Sequence, residues 1–124
     1  MAKFANDDVL DGLLNVVVDN SSKLVVCSSQ PTNYTEATTT YALAEVSVDS
    51  GDFTIANGDS SGRKVTIAQQ DDLSIDVSGT AEHIALVDDT NSELLFVTTC
   101  TSQALTSANT VTVPAWKIEV SDPS

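Results

Sequence analysis

Apolar residues near the start of the chain recur at spacings of three and four. Val9, Leu10, Leu13, Leu14 and Val17 fall on one stripe, which predicts an amphipathic helix over about 7–19. Asn6 stands where an N-cap is needed, and Asp7 and Asp8 set negative charge against the positive end of the helix dipole. Gly12 and the β-branched Val16, Val17 and Val18 weaken the helix, so it is expected to rely on tertiary packing or a neighbouring subunit.

Beyond Asn20 the period shortens to two. Short apolar, β-branched runs bounded by Gly, Asn, Asp, Ser and Pro predict strands at about 23–28, 41–48, 53–56, 64–68, 73–78, 82–88, 93–99, 110–114 and 115–120. Lys23 to Ser28 is continuously apolar in its middle, as in a buried strand. Tyr41 to Val48 alternates with a slip in parity that suggests a bulge. Asn57 to Gly62 is a turn cluster, and Asp88 to Ser92 interrupts a hairpin. The strands at 64–68 and 73–77 read as a further hairpin, and the last four as one sheet with a single wet face. In the final strand Trp116, Ile118 and Val120 alternate with Lys117 and Glu119.

Short strands with turn signals about every 8 to 12 residues predict an all-β, antiparallel β-sandwich or jelly-roll-like domain with one short N-terminal α-helix, spanning 1–124. The expected core is Leu24, Val26, Leu43, Val46, Phe53, Ile67, Ile75, Ile84, Leu86, Leu95, Val97, Val111, Val113, Trp116 and Ile118. The tail 121–124 is expected to fray. Asn33 to Thr40 (NYTEATTT) offers few groups to a core and reads as an extended arm, exposed strand or loop, the first place to look for an intersubunit contact.

Composition fits a light β core: 41% apolar but only 5% aromatic residues. Eighteen acidic residues against five basic ones give a net charge of −13, which repels phosphate backbones and anionic lipid, so neither nucleic acid nor membrane is an expected partner. Such a charge favours solubility and complements a basic partner surface. The start of the chain reads as neither a signal peptide nor a spanning helix, so synthesis in a cytosol is expected.

Candidate chemistry is sparse. His83 is the only histidine and sits among apolar strand residues, which suits a hydrogen-bonded strand-face histidine better than a general base. No G-x-S-x-G and no phosphate-cradling glycine loop occurs, so no enzyme and no cofactor are expected. Cys27 and Cys100 lack zinc-ligand spacing; two buried thiols are expected, with a disulfide as the alternative. Acidic pairs fall in turns, at Asp49 and Asp52, Asp71 and Asp72, and Asp88 and Asp89, but none matches a calcium loop, and no metal site is expected. Of the aromatics, Phe53, Phe96 and Trp116 suit the core, while Phe4, Tyr34 and Tyr41 remain for other duties.

Several stretches are familiar together: MAKFANDDVLDGLLN, CSSQPTNYTEATTTYALAEV, SGRKVTIA, GTAEHIALVDDTNSELLFVTTCTSQALT and TVTVPAWKIEVSDP. They resemble a group of small proteins of tailed bacteriophages and prophages encoded among virion structural genes. The resemblance spans nearly the whole chain and consists of turn and strand patterns. It implies a virion component and carries over no site residues.

Two placements follow within a virion. One is a capsid decoration, or cement, protein on the outer capsid surface, a dimer or trimer reinforcing contacts between subunits of the major capsid protein. The other is a tail, baseplate or fibre-associated module for structure or adhesion. A regulatory protein acting in the infected cell forms a third class. Val9, Leu13 and Val17, or the segment from Tyr34 to Tyr41, are the residues expected to contact another chain.

Overall fold

A computed structural model describes residues 6–120, so Phe4 and the expected frayed tail at 121–124 lie outside the described residues. Helix α1 spans Asp7–Asn20. Asn6 caps it, its Oδ1 accepting from the Asp8 amide at 2.8 Å, and the Ser21 amide closes the other end on the Val17 carbonyl at 3.1 Å. The strands are β1 (Lys23–Cys27), β2 (Ala42–Ser47), β3 (Phe53–Asn57), β4 (Arg63–Ile67), β5 (Gln70–Ser74), β6 (Gly79–Asp88), β7 (Glu93–Leu105), β8 (Thr110–Val113) and β9 (Trp116–Val120).

Every strand pairing is antiparallel. One sheet has the order β2-β1-β6-β7, a second β3-β4-β9, and β5 pairs with β8, this pair meeting β2 through a bridge between Ala44 and Ile75. The fold is an all-β, sandwich-like antiparallel domain with one N-terminal α-helix. Inward side chains of both sheets share one cluster: Leu24, Val26, Ala44, Ile84 and Leu86 from the first, Phe53, Val65, Ile67 and Ile118 from the second. Leu14 and Val17 of α1 join it, as do Leu73 and Val113 from the β5–β8 pair.

The last four strands do not form one sheet as expected. Only β6 and β7 pair with each other; β8 goes to β5 and β9 to β4. Pro114, which donates no amide hydrogen bond, lies between β8 and β9 where the chain passes from one pair to the other sheet. The hairpin expected between 64–68 and 73–77 is likewise absent. The fifth strand runs over Gln70–Ser74 instead, with a register break between Gln70 and Leu73 that includes Asp72 at φ 56°.

Two bulges decide which side chains face the core. On β2, Val26 pairs with Ala44 but Cys27 with Ala42, so Leu43 is the extra residue and joins the same core as Ala44, the parity slip visible in the sequence. On β7, Leu86 pairs with Phe96 but Val87 with Leu94, so Leu95 is extra. It packs into neither hydrophobic cluster, a correction to its expected place in the core. Val97 turns to the opposite face of the sheet from Leu86.

That opposite face is not wet at its centre. Val25, Cys27, Ala85 and Val87 are all fully buried there, under a cover built from the segment expected to be an extended arm, strand or loop. Glu36–Thr40 forms a π-helical turn that drives Ala37 to zero exposure against them. The local wiring explains it. Asn33 Oδ1 accepts from the Glu36 amide at 2.8 Å, and Glu36 Oε1 accepts from the Thr32 amide at 2.8 Å and the Thr32 hydroxyl at 2.7 Å.

Candidate docking surface

Helix α1 is apolar on two sides. Leu10, Leu14 and Val17 turn inward, while Val9, Leu13 and Val16 are 63%, 60% and 51% exposed. The outward three fall at i, i+4 and i+7, one continuous strip along the helix, and Gly12 beside them has nothing near the space a Cβ would fill. The opposite side of the helix is held on the sheets by the buried Leu14 and Val17 and by an ion pair. Arg63 continues the inward face of β4 and grips Asp11 with two nitrogens, Nε to Oδ1 at 2.8 Å and a second contact at 3.4 Å. Its hydrogen bond to Asp11 raises the guanidinium pKa, against the opposing effect of burial.

Asp7, Asp8 and Asp19 are exposed around this strip, and the helix carries no basic residue. The four described basic side chains are all ion-paired: Lys23 with Glu45 and Asp89, Arg63 with Asp11, Lys64 with Asp59, and Lys117 with Asp59 and Glu119. The surplus of carboxylate is therefore the electrostatic face the molecule offers.

The five residues singled out in the sequence thus divide. Val9 and Leu13 reach solvent, Val17 is core, and Tyr34 and Tyr41 are half-buried against the covered face of the first sheet. Tyr34 donates its hydroxyl proton to Asp89 Oδ1 at 2.7 Å, which raises the phenol pKa and lowers that of the carboxylate. Val16, the third member of the strip, stands out in the sequence only as a helix-weakening β-branched residue. Its spacing from Val9 and Leu13 was the available signal.

Elsewhere the reactive side chains are spent or isolated. Burial, with the Cys100 thiol nearby, pushes the Cys27 thiol up to about 12, and its Sγ points to the Ala37 carbonyl at 3.6 Å. β6 lies between the strands of Cys27 and Cys100, two strand spacings or about 10 Å, which is too wide for a disulfide; both thiols are free. His83 Nδ1 is buried without a hydrogen-bond partner among the described residues, unlike the hydrogen-bonded histidine expected.

Asp88 is buried and consumed by the β6–β7 turn, accepting from the Thr90 amide at 2.9 Å, the Asn91 amide at 3.3 Å and the Asn91 side chain at 2.7 Å. Asp49 and Asp52 likewise cap each other's turn. Among the described residues no three ligating side chains come together as a metal site would require.

One cavity of about 390 Å³ opens between β7 and the β8–β9 segment, its wall including Val26, Ile84, Val111 and Trp116. The Trp116 Nε1 is buried and unpartnered among the described residues. Compared with protein-family models, with curated proteins and with solved structures, the chain has no match.

Proposed function

We propose that this protein is a capsid decoration protein of a tailed bacteriophage, bound to the outer capsid surface and holding neighbouring subunits of the major capsid protein together. The observation that carries the docking role is the outward strip of α1. Three large apolar side chains stand in solvent on a helix whose other side is packed and ion-paired, ringed by carboxylates. Such a face suits an apolar groove with a basic rim on another protein. The virion placement rests on the resemblance of the sequence to small phage structural proteins. Many copies on one shell would make modest contacts cooperative in their effect, because each binds the assembled particle and not its dissociated subunits.

The test is localisation. Purified protein is added to capsids lacking it, with tailed particles alongside, and the particles are imaged. Regular density over the shell, with higher resistance to heat, is the expected result. Density confined to the tail or baseplate would replace this reading with that of a tail-associated module, and no density on either would end both.

A further inference from the structure

Among the described residues β7 is the longest strand, 13 residues, and lies at the edge of its sheet with β6 as its one hydrogen-bonded neighbour strand. Exposed edges invite pairing with other chains, and folded proteins blunt them with charges, proline or short length. The other edges here follow that rule. β2 carries Glu45, β5 carries Asp71 and Asp72, and β9 carries Lys117 and Glu119, while β3 and β8 stop after 5 and 4 residues. β7 does not: from Leu94 through Trp116 the chain has no charged residue at all, in a molecule of net charge −13.

Its first half, Leu94 to Thr99 (LLFVTT), combines high β-propensity, zero charge and no proline, the composition that self-pairs most readily when an edge is open. Leu94, Leu95, Phe96, Val97 and Thr98 are only half-buried and Thr99 is exposed. Leu95, the bulge residue, is committed to neither cluster. A register break between Ala81 and His83 leaves residues 100–102 out of step with β6 and bounds this run on its far side.

We propose that the free edge of β7 over Leu94–Thr99 pairs antiparallel with the same edge of a second copy about a two-fold axis, making one sheet continuous across both molecules. The occupant is another copy because of charge. Acidic faces brought together from two −13 molecules repel, whereas this edge presents Leu, Phe, Val and Thr to itself. With the axis at Val97, Val97 faces its own copy, Phe96 faces Thr98 and Leu95 lies across from Thr99, all favourable cross-strand pairs. Glu93 then lies across from Thr101, and the two Glu93 carboxylates stand roughly 27 Å apart along the ladder, well beyond the screening length. The inference concerns self-association in solution and does not rest on the capsid placement.

Sedimentation velocity over the micromolar to submillimolar range tests it. The wild-type chain sediments as a dimer, while Leu95→Lys and Thr99→Arg, both outside the core, raise the dissociation constant at least about tenfold with the fold retained by circular dichroism. Leu13→Asp, on the helix, leaves the dimer intact. A wild-type chain that stays monomeric, a dimer untouched by both edge variants, or one abolished by Leu13→Asp overturns the proposal. Amide exchange on the wild-type chain decides it without any variant: protection must rise with concentration at Leu94–Thr99, and a rise on α1 or β9 instead refutes it.

Discussion

The rings of Phe96 and Trp116 stack with centroids 6.0 Å apart and planes inclined by 28°, tying an edge strand of one sheet to an edge strand of the other. Trp116 also walls the cavity between β7 and β8–β9. Trp116→Ala should cost about 3 kcal/mol in urea unfolding, since it removes both the stack and a large part of that wall. Trp116→Phe should cost about 1 kcal/mol. Equal stability of Trp116→Ala and wild type would mean that the sheets are held elsewhere.

Adjacent leucines on α1 should separate folding from docking. Leu14 is 2% exposed and Leu13 60%. Leu14→Ala is expected to lose about 2–4 kcal/mol. Leu13→Asp should stay within about 0.5 kcal/mol of wild type yet lose binding to the capsid. Thermal melts and capsid co-sedimentation read the two effects, and unimpaired capsid binding by Leu13→Asp would remove the helix from the interface.

The sequence made the existence of this helix plain but not its orientation. Asn6, the paired aspartates and the three–four spacing locate it, yet apolar residues lie on both of its sides. Nothing local distinguishes Leu10–Leu14 from Val9–Leu13; the difference lies in tertiary contacts, with Leu14 and Val17 in the core and Arg63, 52 residues along the chain, gripping Asp11. Pairing partners of β8 and β9 were hidden for the same reason, because an alternating strand records which face is wet and not which neighbour it has.

The cover over the second face was nearly legible. Asn33 followed three residues later by Glu36 is a helix-start signature, but the threonines that follow read as extended chain, and Ala37 gives no hint of burial. Leu95 failed differently: a one-residue bulge on β7 moved it out of a pattern it matched in sequence.

The Tyr34–Asp89 hydrogen bond should make the cover pH-sensitive at both extremes. Asp89 is held below the usual carboxylate range, first by Tyr34 and also by Lys23, so its contribution is present at neutral pH and is lost as pH falls through the folded value, below about 4. Tyr34 is raised, first by the bond to Asp89, so its contribution is present below about pH 10 and is lost as pH rises beyond it. Tyr34→Phe should flatten both limbs in plots of the urea midpoint against pH. Identical limbs in the variant would assign them to other groups.

The two thiols should label in sequence. Cys100 is half-buried, its pKa raised by burial and by Glu82, and Cys27 is fully buried. With burial pushing its pKa up to about 12, Cys27 stays a thiol at neutral pH. An alkylating reagent should modify Cys100 in the folded protein and Cys27 only as fast as the protein unfolds. Simultaneous modification, or a Cys27–Cys100 bond in non-reducing mass spectrometry, would contradict the strand order.

The central strand β1 has a consequence for how the chain is made. Its hairpin neighbour β2 follows soon after it, but its other neighbour, β6, pairs Lys23 with Val87 and Cys27 with His83. At about 5–20 residues per second, a ribosome leaves one side of β1 bare for several seconds before β6 emerges. The most deeply buried strand of the finished protein is therefore the most vulnerable one in the nascent chain. Chains stopped before Gly79 should bind chaperones or aggregate while the full chain does not, and a soluble fragment with protected β1 amides would show that β2 and the Ala37 cover suffice to shelter it.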